Sequence, residues 1–293
     1  MWPYHLKTSL LLATLTGLLL CVGSLVGGSV GLYLAGCTAL FMHGIAYFFS
    51  AQLVLRLYKA QPLDEQEYAW IYRMVHTLAN TMHLPMPKLW LIPTPMANAF
   101  ATGRTPHHGS VALTQGILVL LDRHELQGVL AHELAHIKNR DTLVTTTAAA
   151  LATALGKCCH LLRSVATGNR ARSGNKREGN PVILFLIALL MPIIATITQL
   201  AVSRSREYCA DEIGAYYTKD PLALAAALTK LHQHVACAPS PADDLARATT
   251  ASLQIVHPFT SDSFTNLFST HPPVHERITR LNYLHEQKIK SYH

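Results

Sequence analysis

The chain has 293 residues, half of them hydrophobic and only 14% charged, with a formal charge of +7. A charged share so far below the usual quarter excludes an ordinary soluble domain throughout and points to membrane-embedded segments. The basic residues neither cluster on a helix face nor interleave with aromatics in the polar stretches, which argues against a nucleic-acid partner. Of the six cysteines, Cys158 and Cys159 are adjacent and Cys21, Cys37, Cys209 and Cys237 stand apart, so neither a disulfide framework nor a C-x-x-C metal site follows.

From Thr8 to Leu55 there are 48 consecutive residues without Asp, Glu, Lys or Arg, whereas one span needs about 20. Two spans are expected, Leu10–Val26 and Val30–Ser50, turning at Gly27, Gly28 and Ser29. A cleaved signal peptide would be shorter and end at a small-residue site, so this segment is expected to stay in the protein. His43 lies inside the second span, where a hydrogen bond to a neighbouring helix is a simpler role than a functional one. Lys7 precedes the hairpin and Arg56 and Lys59 follow it, which places both ends, and the sequence beyond, on the cytoplasmic side. The basic excess is then assigned to membrane flanks and anionic headgroups.

After the hairpin, Asp64–Met82 reads as a core-facing helix with Tyr68, Ile71, Met74, Val75 and Leu78 at helical spacing. Three short runs, from Lys88 to Ile92, Asn98 to Gly103 and Ser110 to Thr114, read as strands of a small sheet, with a turn at Gly103–Gly109 carrying Pro106, His107 and His108. A helix containing Asp122–Lys138 follows, and Asp122 with Glu125 three residues later is its start signal. This helix carries His132-Glu133-Leu134-Ala135-His136. Two imidazoles four residues apart share one helix face and can hold one zinc ion, while the carboxylate between them lies beside it. The motif is loose in a chain with 17 histidines, and two ordinary helix histidines are the alternative. Its surroundings are selective, because Gly128–Ile137 is uncharged apart from the motif itself, as a buried active-site helix should be.

A second hydrophobic region is formed by Thr142–Gly156, a weak span, and Val182–Val202, a strong one despite Pro192. The loop between them carries Arg163, Arg170, Arg172, Lys176 and Arg177 against Glu178, which opposes the positive-inside rule if both segments span. A membrane-embedded helical pair is the favoured reading. A catalytic zinc takes three protein ligands, and Glu207, with Asp211 four residues on, is the best carboxylate that follows. Asp211 then suits acceptance of the far ring N–H of a zinc histidine. On those residues alone, a solvated charged helix start is the simpler account. Ala236–Thr250 reads as a surface loop, and Ser269–His293 as a T-H-P-P turn leading into an amphipathic helix, Val274–Lys288.

Taken together, the membrane hairpin, the N-A-F-A-T-G run at Asn98, the H-E-L-A-H helix running into Asp141, the second hydrophobic pair, Ser203–Asp211 and Ser269–Arg277 resemble the HtpX family of membrane zinc metallopeptidases, related to the CAAX prenyl endopeptidases. The resemblance covers nearly the whole chain in order. It implies an α+β, mainly helical gluzincin-type domain around a small sheet. In it one zinc is bound by His132, His136 and Glu207, and Glu133 is the catalytic acid/base. It implies four segments: a hairpin at 1–58, a first catalytic half at 59–141, a second hydrophobic hairpin at 142–202 and a second catalytic half at 203–293. The implied activity is an endopeptidase of the bacterial inner membrane, acting on membrane or unfolded proteins in quality control. Glu133 would take a proton from zinc-bound water and return it to the leaving amine. His271 is a candidate for steadying the oxyanion or touching the metal transiently, and equally for capping the next helix; His257 is a weaker candidate of that kind. Asn98, Ala99, Phe100 and Ala101 suit an edge strand that pairs with substrate backbone. The alternatives are a prenyl-processing endopeptidase and a non-catalytic scaffold retaining a metal site; a scaffold has no need of Glu133. An oligomer is compatible with the chain but does not follow from it.

Overall fold

The computed structural model describes residues 2–143, 145–146, 204–237 and 272–290. Most of the second hydrophobic hairpin, the basic loop, His257 and His271 lie outside these residues. The first element, α1 (Trp2–Leu57), is broken at Gly27 (φ −133°, ψ 16°) and Gly28 (φ 56°, ψ −136°), where the sequence places the turn. The Gly28 conformation excludes a side chain on steric grounds, so the glycine fixes where the two arms meet. Among the described residues no helix is long and apolar enough to cross a membrane.

Beyond α1 lie β1 (Gln61–Pro62), α2 (Ala69–Thr81), β2 (Lys88–Ile92), β3 (Ala99–Thr102) and β4 (Ser110–Thr114). The strands form one mixed sheet in the order β1-β2-β4-β3, with β2 parallel to β4 and the other pairs antiparallel. Period-two alternation sorts its side chains to two faces. Leu89, Ala99, Ala101, Val111 and Leu113 enter the main core with α2 and the later helices. Ile92, Phe100 and Ala112 pack instead on Val54 and Leu55 at the foot of α1. α2 starts later than its apolar spacing indicates. Asp64 Oδ1 accepts from the amides of Gln66 and Glu67 at 2.8 and 2.9 Å, which closes a turn ahead of the helix.

α3 (Gln115–Leu120), capped by the Thr114 hydroxyl, leads into α4 (Arg123–Lys138). Asp122 and Glu125 form a full capping box at the α4 start, and Glu125 also receives the Lys230 ammonium at 2.7 Å. The remaining helices are α5 (Arg204–Thr218), α6 (Pro221–Cys237) and α7 (Val274–Lys290). Ala236 and Cys237 thus belong to a helix, and the rest of the expected 236–250 loop lies outside the described residues. α4 is the central element, buried almost all round. A Cβ added at Gly128 would sit 3.0 Å from the Leu224 amide nitrogen of α6, and one at Gly214 of α5 would sit 3.2 Å from the His132 nitrogen. These two glycines allow α5 and α6 to press against the helix that carries the motif. The core joins residues from both sides of the 142–202 segment, including Leu130, Leu134, Leu228 and Leu281.

Candidate metal and catalytic site

α4 presents His132 and His136 one turn apart, with ring centroids separated by 4.7 Å. Their Nε2 atoms face each other at 3.2 Å. Glu207, near the start of α5, closes the third corner. Its Oε2 lies 3.6 Å from His132 Nε2 and its Oε1 lies 3.5 Å from His136 Nε2. One ligand atom from each of the three residues falls within 4.8 Å of the others.

Behind each ring stands a carboxylate. Asp211 Oδ1 is 3.0 Å from His132 Nδ1, and Asp141 Oδ2 is 3.3 Å from His136 Nδ1. A carboxylate at Nδ1 holds the proton there and turns the Nε2 lone pair into the site. Two lone pairs aimed at each other repel unless a cation lies between them. The spacing matches one: tetrahedral zinc with bonds of about 2.0–2.1 Å sets its ligand atoms about 3.3–3.5 Å apart. Charge gives the same answer. Among the described residues, the carboxylates of Glu133, Asp141, Glu207 and Asp211 are buried together with the guanidiniums of Arg206 and Arg277. A divalent ion would suit that carboxylate-rich setting. The residues therefore fit a zinc ion.

Arg277, fully buried on α7, is the residue that sequence reasoning left without a role. Its Nε and Nη2 donate to the two Asp211 oxygens at 2.8 and 2.7 Å, and its Nη1 lies 3.5 Å from Glu207 Oε2. The available signal was its register. Val274, Ile278, Leu281 and Leu284 make the apolar stripe of α7, and Arg277 falls inside that stripe rather than opposite it. Asp141 was equally hard to place. It follows a left-handed Arg140 (φ 60°), which folds the chain back toward His136. Arg206 Nε supports it at 3.6 Å.

Glu133 reaches from α4 to β3, where its Oε2 accepts the Ala101 amide at 2.7 Å. Burial is the largest influence on this carboxyl and raises its pKa, while the histidines pull the other way. Burial lowers His132, but the Asp211 and Glu207 carboxylates more than reverse it and lift the ring to about 9. Asp211 is held below the usual carboxylate range because Arg277 outweighs the cost of its burial.

The structure brings Asn98, Ala99, Phe100 and Ala101 to the end of the sheet, with β3 as the edge strand. Ala99, Phe100 and Ala101 are at most 4% exposed, with Ala99 and Ala101 in the main core and Phe100 in the cluster beside α1. The Ala101 amide is already committed to Glu133. His271 and His257 are not among the described residues.

A description of peptidase family M48 matches residues 65–285. The chain is 46% identical over 277 residues to a protein from Syntrophobacter fumaroxidans named Protease HtpX homolog, covering 94% of this chain and 97% of that one. It is 47% identical over 276 residues to a protein of the same name from Pyrococcus furiosus, covering 94% of each. The fold also resembles the crystal structure of S. mikatae Ste24p, at a TM-score of 0.51 and 20% identity over 96% of this chain. The chain spans 66% of the length of that protein. At such identity the likeness concerns the fold: mainly helical with a small mixed sheet.

Proposed function

The chain belongs to peptidase family M48 and is a metallopeptidase, and from that premise we propose that it is a membrane-embedded zinc endopeptidase cutting misfolded or damaged membrane proteins on the cytoplasmic side. One observation carries the chemistry. Three side chains that could hold a metal ion, His132, His136 and Glu207, converge near a buried carboxylate, Glu133.

In this reading His132, His136 and Glu207 hold the zinc. A bound zinc supplies a Lewis acid and a water acidified toward neutral pH. Glu133 takes the proton of the attacking water and passes it to the leaving amine, and a pKa raised by burial moves this carboxyl toward the range where it can do both. The Ala101 amide fixes one Glu133 oxygen, leaving the other for the proton. Asp211 and Asp141 hold the ring tautomers, and Arg277 holds Asp211 while leaning on Glu207. We assign substrate pairing to the outer side of β3, along Asn98–Ala101.

The membrane assignment is supported by the surface of α1. Its second arm exposes Tyr33 (75%), Leu40 (76%) and Phe41 (69%) in a stretch without charged residues. A soluble monomer rarely shows so continuous an apolar face. Lys7, Arg56 and Lys59 support a cytoplasmic position for both ends.

The test pairs metal analysis with cleavage of an unfolded membrane protein. Glu133→Gln is expected to keep about one zinc per chain and lose at least about a hundredfold in turnover. Glu207→Ala is expected to lose the zinc. Wild-type protein that holds zinc but cuts nothing beyond what Glu133→Gln cuts would make the scaffold reading the better one.

A further inference from the structure

The strand beside the catalytic carboxylate runs down the flank of α1. Phe100 packs on Tyr58, just past the end of α1, with ring centroids 5.2 Å apart. Four residues later the Arg104 guanidinium lies over Phe48 at 5.1 Å and near Tyr47 at 6.0 Å. Ten residues of helix rise about 15 Å and four of extended chain about 13 Å, so the two segments run side by side in opposite directions.

The residues at the lower contact mark a boundary on the surface. Tyr47, Phe48 and Phe49 are exposed at 42, 55 and 59%, and on their N-terminal side the arm is uncharged and exposes Tyr33, Leu34, Leu40 and Phe41. On their C-terminal side come the exposed Arg56 and Lys59, and Arg104 is laid over the rings themselves. Apolar, then aromatic, then basic is the order of surfaces across the edge of a bilayer. The distance from that edge to the chemistry is limited by the chain. Ala101 donates to Glu133, and three residues, which span at most about 11 Å, separate it from Arg104. With roughly 6 Å for the arginine side chain and 5.1 Å from its guanidinium to the ring, Glu133 stands within about 25 Å of the Phe48 ring, or about eight residues of extended polypeptide.

We propose that this short fixed height makes the enzyme a juxtamembrane peptidase, cutting bonds within about eight residues of the point where a substrate leaves the bilayer. The proposal rests on the membrane peptidase reading and narrows its substrate class. Polypeptide still anchored in the same bilayer is presented at the right level, and bonds far along a soluble tail are not.

The test uses the full-length zinc-loaded enzyme in proteoliposomes with single-span substrates. One cleavable segment is set 2, 5, 10, 20 or 40 residues from the span by an uncleavable linker. Cleavage is expected to be fastest near 5 and, with effective concentration falling as about the −3/2 power of linker length, roughly twentyfold slower at 40. Equal rates at every spacing, with Glu133→Gln inactive throughout, would overturn the proposal and leave the peptidase intact. Activity no greater than that of Glu133→Gln at any spacing would overturn both. A depth measurement separates the two further. A fluorophore on Arg104→Cys, in a background without other cysteines, is expected to be quenched by headgroup-labelled lipid, and a label reporting bulk water would refute the height.

Discussion

Replacing Arg277 with Met removes a guanidinium that has no exposed surface and makes two charge-assisted hydrogen bonds, at 2.7 and 2.8 Å, to Asp211. The methionine approximates the buried stem but takes the guanidinium from Asp211, 2% exposed, and from Glu207, leaving the His132 ring to face both carboxylates. Breaking one partner of such a buried pair costs about 3–5 kcal/mol, whereas replacing both by apolar groups is close to neutral. At about 2–4 °C per kcal/mol for a domain of this size, the single variant is expected to unfold some 6–20 °C lower. The assay is thermal unfolding of the detergent-solubilised, metal-free protein at one scan rate, for Arg277→Met, Asp211→Leu and the double variant. The double variant is expected to recover most of the loss. Losses that simply add, or an Arg277→Met midpoint within 2 °C (roughly the effect of 1 kcal/mol) of wild type, would show that the pair is not the buried strut described here.

Asp141→Asn weakens the acceptor behind His136 and is expected to lower zinc affinity about 10–100-fold, read by competition with a chelator; unchanged affinity would remove Asp141 from the site. In the metal-free protein His132 titrates near 9 rather than near 6.5, so its protonated form stabilises the fold fully below 6.5 and that contribution is lost as pH rises through 9. Metal competes with this proton, so zinc affinity should climb roughly tenfold per pH unit up to about 9 and then level off; a flat titration from 7 to 9 would contradict the geometry at His132. Gly128→Ala puts a methyl 3.0–3.2 Å from Leu224 and is expected to destabilise by about 1–3 kcal/mol in chemical unfolding, with zinc still bound. A neutral effect would mean that α4 and α6 are less tightly apposed than the structure has them.

Local features were legible where the signal is local. The Asp122–Glu125 cap, the alternating runs that became β2, β3 and β4, the Gly27–Gly28 break and the α7 start at Val274 all depend on residues within a few positions of one another. α6, β1 and α3 passed unread. β1 is two residues long, and α3 is a single capped segment. α6 is rich in alanine and leucine on several faces, so its pattern does not stand out.

Sequence by itself determined the chemistry on offer: two histidines on one helix face, a carboxylate between them, and Glu207 and Asp211 one turn apart on another helix. Helical geometry fixes such pairs wherever the helices go. Tertiary structure alone decided that α4 and α5 meet close enough, through Gly214, to bring Glu207 to the histidines. It also decided that Arg277, 66 residues from Asp211, closes the site from behind. No spacing rule reaches across such separations. What selects the contact is that buried charges must find opposite partners, a requirement met only when the whole core is assembled.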